Sequence, residues 1–296
     1  TPDPYLFRTA TESVPWGSSE FEAAGFLKGE PVDVIRGPLT GLPLPANAEL
    51  VVEGEVPPPS VEERMEGPFG EFTGYYAGGE KARPVFRVQA LYYRTNPILH
   101  GDPPLRPPVG HWGFASSTLL GVWEGLEKAG LPGVVGVYAL PVGGSQGVVV
   151  SVRQQYAGHA RQVGRVASAL NHTFCKLVVV VDEDIDPSRP EEVLWAICTR
   201  TDPATTFEIE TDCASSTLDP MIHPDEKTKQ TIGGLTSSRA LVIACRPWEW
   251  RDRFPPVNRN SEQLRRQTYD KWRGLIDAAP RSGSGASREK EHAGAI

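Results

Sequence analysis

The apolar positions change texture near residue 115. Before it they come in short groups broken by Pro and Gly, at residues 31–35, 48–54 and 84–93. The last group is enriched in β-branched and aromatic residues, as strands are. Strand-length groups bounded by turn residues predict a β-rich module with long ordered loops, and such loops often carry function. From Phe114 onward the spacing alternates. Residues 116–128 place Leu119, Leu120, Val122, Trp123 and Leu126 mostly on one side of a helix, with Gly130 as its stop. Strands are expected at 134–140 and 147–152, a helix at 158–170, and at 176–181 a nearly unbroken apolar run, as in a strand covered on both faces. A helix at 190–199 has Pro in its first turn, and 240–244 is another buried strand. The alternation predicts an α/β layer domain. An amphipathic helix at 261–277 carries Leu264, Tyr269, Trp272 and Leu275, to pack on its own domain or on a partner subunit. The opening, 1–16, reads as a loop. Residues 279–296 are Ser, Gly, Ala and charge without apolar periodicity, and read as a disordered tail.

Composition narrows the class. With 296 residues, 39% hydrophobic and 23% charged, the chain suits a soluble globular protein of one or two domains with a substantial core. A net charge of -7 argues against phosphate-driven nucleic-acid binding, which needs a basic surface. No apolar run approaches the roughly 18 residues of a membrane span, and no secretory signal is visible. Cys175, Cys198, Cys213 and Cys245 form no Cys-x-x-Cys pair and have no His partners at zinc spacing. Free thiols in a reducing cytoplasm are expected. The chain begins at Thr1, not Met, and reads as a piece of a longer or processed protein.

The most specific chemistry lies in Glu66-Gly67-Pro68-Phe69-Gly70-Glu71, continued by Phe72-Thr73-Gly74-Tyr75-Tyr76. Pro68 fixes φ and lacks a backbone donor, and Gly67 and Gly70 permit angles other residues avoid. The segment is therefore expected as a shaped loop outside any helix or ladder, anchored by Phe69, Phe72 and the two tyrosines. Two acids beside aromatic rings suit acid/base work, since apolar surroundings raise a carboxyl pKa toward neutrality. A solvated turn with idle glutamates is the other reading. His100, His111, His159, His172 and His223 show no zinc or triad spacing and are expected to be structural.

This loop resembles the signature segment of the UbiD family of decarboxylases. Further blocks follow in family order: residues 19–30 around Glu20, Tyr156-Ala157-Gly158-His159-Ala160-Arg161, residues 181–186, Leu194-Trp195-Ala196 with Thr199-Arg200, and 212–221. The resemblance covers the back half or so of a usual family member. It implies a mixed α+β and α/β chain: part of a split β-barrel domain binding prenylated flavin mononucleotide over 1–115, then a C-terminal α/β oligomerisation domain over 116–278. Upstream family segments would supply an arginine for the glutamates and an Asn and a His for the metal, so either the polypeptide is a fragment or a separate chain provides them.

What the resemblance implies is a reversible, non-oxidative decarboxylation of an aromatic or α,β-unsaturated acid. Glu71 matches the acid that protonates the carbon losing CO2, Glu66 its network partner, and Glu20 a metal ligand near the flavin phosphate, with Glu22 as its neighbouring decoy. Prenylated FMN, Mn2+ or Mg2+, and K+ are the implied cofactors, oxygen ligation favouring hard ions. Expected partners are a flavin prenyltransferase and further copies in a homodimer or larger homo-oligomer. Ser215, Ser216 and Thr217 fall where family members place part of the substrate wall, and suggest a hydroxylated or otherwise polar aromatic acid. Asp182, Asp184 and Asp186 match a structural turn. A non-catalytic subunit or assembly module is the alternative, and a glycosidase using the carboxylate pair a remote third.

Overall fold

The computed structural model describes residues 3–11, 14, 16–76, 79–99, 101, 104–106, 112–140, 146–170, 175–228 and 234–278. Residues Thr1–Arg251 form one compact unit and Asp252–Ile296 a second. The tail at 279–296, and with it His100, His111 and His172, lies outside the described residues.

The opening corrects the sequence expectation. Residues Pro4–Thr11 form a helix, α1, where a loop was expected. Asp3 caps it by accepting the backbone N–H groups of Tyr5 and Leu6 at 2.9 and 3.2 Å. Pro4 is no obstacle, because the first helical position has no intrahelical N–H bond to lose. Helix α2 (Glu20–Lys28) follows from a capping box: Ser19 Oγ accepts from Phe21 N at 3.2 Å, and Glu22 Oε2 accepts from Ser19 N at 3.3 Å. Gly29, at φ +80°, ends it.

Next come three antiparallel strand pairs: β1 (Val34–Arg36) with β2 (Pro43–Pro45), β3 (Leu50–Glu55) with β6 (Arg87–Tyr93), and β4 (Glu63–Glu66) with β5 (Lys81–Pro84). The strand expected at 84–93 is thus split, since Pro84 ends one strand and Arg87 begins the next. Glu53 of β3 is buried. Its carboxylate accepts from Leu39 N at 3.3 Å, Thr40 N at 3.0 Å and Thr40 Oγ1 at 2.5 Å, stapling the β1–β2 turn. These donors, led by the Thr40 hydroxyl, hold its pKa down at about 2.

Beyond Trp112 the chain forms a mixed α/β layer structure. Its five-stranded sheet runs β10–β11–β9–β8–β7, with β7 (Val134–Ala139), β8 (Gly147–Val152), β9 (Leu177–Asp182), β10 (Phe207–Ala214) and β11 (Thr236–Ala244). The three central strands are parallel and both edge strands antiparallel. Alternate side chains feed two cores, as the two-residue strand period requires. Val148, Val150, Val178, Val180 and Leu241 pack with Val122 and Leu126 of α3 (Trp112–Lys128) and Val163 of α4 (His159–Leu170). Val149, Val179, Val181 and Val242 pack with Val193 and Ala196 of α5 (Pro190–Arg200). The short helices α6 (Pro203–Thr206) and α7 (Pro224–Thr228) flank β10 and precede β11. The four cysteines are free; burial pushes the Cys175 thiol up to about 11, so it acts as a small apolar group.

Asp182, the last residue of β9, and Asp184 just after it are tied into a network of arginines, in line with the structural turn expected there. Arg200, fully buried, donates to Asp182 Oδ2 at 2.8 Å and to both oxygens of Asp184 at 2.7 and 2.8 Å. Arg246 adds its backbone N–H to Asp182 at 2.8 Å. His159 is also buried, its Nδ1 accepting from Gln155 N at 3.1 Å, and burial lowers its pKa. In the second unit, helix α8 (Glu262–Ala278) carries Leu264, Tyr269, Trp272 and Leu275 as exposed side chains.

Candidate active site

The β4–β5 hairpin frames the loop that carries both acids. Glu66 is the last residue of β4 and pairs with Lys81 of β5, so this acid sits at the end of a ladder, where the sequence suggested a loop throughout. Gly67 has φ +92°, and a Cβ there would stand 2.8 Å from the Gly79 carbonyl oxygen. Both the angle and the approach require glycine. The Gly67–Pro68 peptide is cis. Of the four aromatic residues expected to anchor the loop, Phe72 alone is buried. Phe69, Tyr75 and Tyr76 are exposed.

Glu71 is pinned by its own backbone. Its N–H donates to the Tyr75 carbonyl at 3.0 Å, and its carbonyl accepts from Gly74 N at 2.7 Å. Gly74 closes this turn at φ +81°. The side chain is half-buried. Partial desolvation raises the pKa of its carboxyl, the negative charge of Glu66 adds to the rise, and Arg83 opposes it. Glu66 is exposed, with Arg83 Nε 3.6 Å from its Oε2. The structure therefore brings together Glu66, Glu71 and a third residue, Arg83, that the sequence reading missed. Only the β4–β5 register, which places Arg83 diagonal to Glu66 on one face, reveals it.

Glu20 opens α2, is exposed, and has no hydrogen bond or ion pair among the described residues. Its neighbour Glu22 is committed to the capping box. No described contact links Glu20 to Glu66 or Glu71. Among the described residues no group of three His, Cys, Asp or Glu side chains could hold a metal ion. The fit to a divalent cation is thus one hard oxygen donor, not a ligand set.

Ser215, Ser216 and Thr217 follow β10. Ser215 Oγ donates to Asp219 Oδ2 at 2.8 Å, and Ser216 Oγ accepts from Leu218 N at 3.1 Å. Both hydroxyls are spent within their own turn, whereas Thr217 has no hydrogen bond among the described residues. Asp219 is buried and anchors the turn, pairing with Lys176 at 2.5 Å and accepting from Met221 N at 2.9 Å. The segment then leads into α7, where Lys227 feels the charges of both Asp219 and Lys81. Burial lowers the Lys227 pKa, and Lys81 lowers it further. Through that lysine pair the 215–228 segment comes up to the hairpin bearing Glu66.

The chain is similar to known proteins over most of its length. Residues 2–107 match the 3-octaprenyl-4-hydroxybenzoate carboxy-lyase Rift-related domain, and 112–244 the C-terminal domain of the same carboxy-lyase. The chain is 34% identical over 233 residues to the phenolic acid decarboxylase of Bacillus subtilis, covering 78% of this chain and 48% of that one. The structure of the UbiD-class enzyme HmfF from Pelotomaculum thermopropionicum in complex with FMN superposes with TM-score 0.75 at 27% identity, over 88% of this chain and 56% of that chain. The open form of Sedimentibacter hydroxybenzoicus vanillic acid decarboxylase gives TM-score 0.70 at 28% identity, over 93% and 57%. The chain thus spans about half the length of the relatives it matches. With matches to two consecutive family domains and a relative 34% identical over 78% of this chain, the chain belongs to the UbiD family.

Proposed function

We propose that this chain carries the proton-donating half of a UbiD-class carboxy-lyase acting on an aromatic or α,β-unsaturated acid. The observation that carries the reading is the unequal setting of the two acids. Glu71 is half-buried with a raised pKa, while Glu66 is exposed and paired with Arg83. Two carboxyls whose environments push them apart can divide acid and anion roles. The carbon–carbon bond to the carboxylate breaks, CO2 leaves, and the electron pair stays on the carbon. A proton from Glu71 then forms the new C–H bond, and solvent restores it. Two backbone hydrogen bonds hold Glu71 in place for that transfer.

An HmfF variant has been solved with prFMN, and prenylated FMN is the cofactor proposed here; when bound it supplies the electron sink that side chains lack. Glu20 would offer one oxygen to a divalent cation beside it. The three strand pairs before residue 107 are read as part of a split barrel, supported by the exposed apolar side chains of Ile35, Val52, Leu91 and Tyr93. A hydroxylated substrate is the favoured class, with Thr217 supplying the hydroxyl contact.

The test is co-expression with a flavin prenyltransferase and the adjoining upstream segment, followed by CO2 release from a panel of aromatic acids. Glu71→Gln should abolish release, a loss of 10²-fold or more on the scale of general acid catalysis, while the absorbance of bound cofactor persists. Full activity in that variant overturns the assignment.

A further inference from the structure

Away from the hairpin, a separate set of polar contacts joins the sheet to the turn after β10. Lys176 stands immediately before β9. Its backbone is fixed on both sides: its N–H donates to the Gln146 carbonyl at 2.7 Å, and its carbonyl accepts from Ala240 N of β11 at 2.9 Å. Its side chain crosses β11 toward the turn. Lys176 Nζ donates to Ser237 Oγ of β11 and pairs with Asp219 Oδ2 at 2.5 Å. Asp219 is buried. The same Oδ2 accepts from Ser215 Oγ at 2.8 Å, and Oδ1 accepts from Met221 N at 2.9 Å. One carboxylate thus gathers the start and the end of the turn and ties them to a cation rooted in the sheet. Within the turn, Asp219 N donates to the Ser216 carbonyl at 3.1 Å and Ile222 N to the Asp219 carbonyl at 3.3 Å. Thr217, half-buried, stands in the middle of it.

Burial pushes the Asp219 pKa up, but the Lys176 ammonium, the Met221 N–H and the Ser215 hydroxyl outweigh it, so the carboxyl is held ionised. Lys227 of α7 also feels this charge. A buried ion pair recovers little beyond its own desolvation cost, so net stability is a poor account of it. What it supplies is direction. An ammonium on a fixed root, already bonded to Ser237, leaves the carboxylate and its turn one place to sit.

We propose that Lys176 is a positioning residue for substrate recognition: acting through Asp219, it sets the 215–221 turn against the sheet and so presents Thr217 to the hydroxyl of an aromatic acid. The inference rests on the reading of Thr217 as the residue that meets the substrate. Lys176 needs no contact with the substrate to do this.

The test is a double-mutant cycle between Lys176 and Thr217, read as binding. The chain is co-expressed with the adjoining upstream segment, without the prenyltransferase, and supplied with FMN, so that binding is measured apart from turnover. Calorimetry compares para-hydroxybenzoate with benzoate, which lacks the hydroxyl. The parent should prefer the hydroxylated acid by about tenfold, the value of one net hydrogen bond. Thr217→Val should remove the preference. Lys176→Met should remove it too, with the Kd for benzoate unchanged. Thr217→Val in the Lys176→Met background should then change nothing further, because residues acting through one contact are not additive. Lys176→Met leaves a buried carboxylate without its ammonium. Lys176→Met with Asp219→Asn relieves that charge, and should lose the preference equally while regaining the urea midpoint that Lys176→Met gives up. A merely structural role would return preference and midpoint together. That outcome, a parent without preference, a preference that survives loss of Lys176, or additive losses in the cycle overturns the proposal. No bond is broken in this measurement, so its failure leaves the proton-donor reading, decided by CO2 release, standing.

Discussion

At the scale of single residues, what a side chain already bonds to limits what else it can bind. Ser215, Ser216 and Thr217 look interchangeable in sequence, three small hydroxyl residues in a row. In the fold, Ser215 is bound to Asp219 and Ser216 to the Leu218 N–H. Thr217 makes no such bond among the described residues, and is the one proposed to meet a substrate. Thr217→Val, nearly isosteric, should therefore raise KM for a hydroxylated aromatic acid by roughly tenfold, the value of one net hydrogen bond, and leave KM for the unsubstituted acid unchanged. Equal KM changes for both acids would remove the contact. The same reasoning shows which site residues were legible. Glu66 and Glu71 announce themselves through the glycines and proline around them. Arg83 does not, because its place beside Glu66 depends on a strand register that its own short, exposed, highly charged strand does not advertise. Glu22 is the converse case: as an acid near Glu20 it invites a ligand role, and the capping box accounts for it.

Among the secondary-structure elements, legibility follows burial. The central strands β8 and β9 are buried on both faces, so their valine runs could be read directly. β4 and β5 are almost wholly exposed and carry no alternation to read. β10 alternates at the sheet edge, but with Phe207 and Ile209 on the exposed face and Glu208 and Glu210 half-buried, so its pattern does not mark a core strand. Helix α1 was hidden by a proline that is harmless at its first position. Close packing between elements leaves one sharp prediction. Gly164 of α4 lies against β11 and β9: an added Cβ would collide with Leu241 Cδ1 and stand 3.0 Å from Val180 Cγ2. Both neighbours are buried, so neither can turn into solvent. Gly164→Ala should cost about 1–3 kcal/mol through overpacking, outweighing the roughly 1 kcal/mol gained in helix propensity. A fall in the urea midpoint at unchanged slope would show it; a rise would mean that α4 can lift from the sheet.

Across the whole molecule, carboxylates with opposite shifts tilt stability in opposite directions with pH. Glu53 is held at about 2 by donors from the β1–β2 turn, and Asp184 below the usual carboxylate range by Arg200. Each contributes stability that is present above its unfolded pKa, about 4 for these side chains, and is lost as pH falls through the folded value. Glu71 has the opposite sign. Its folded pKa is raised, so the fold favours its protonated form, and the resulting stability is full below about pH 4 and lost as pH rises through the folded value. Ionised Glu71 is therefore a standing cost to the fold at neutral pH, the expected signature of a carboxyl held for proton transfer. Glu71→Gln, which cannot ionise, should be more stable than the parent chain at pH 7, and the difference should vanish below about pH 4. Glu53→Gln should do the reverse, losing stability at pH 7 and converging on the parent toward about 2. Urea midpoints of the three chains measured across this range would separate the two slopes. A Glu71→Gln chain no more stable than the parent at neutral pH would mean that the loop solvates this carboxylate as well as water does, and the unequal acid pair on which the proton-donor reading depends would be gone.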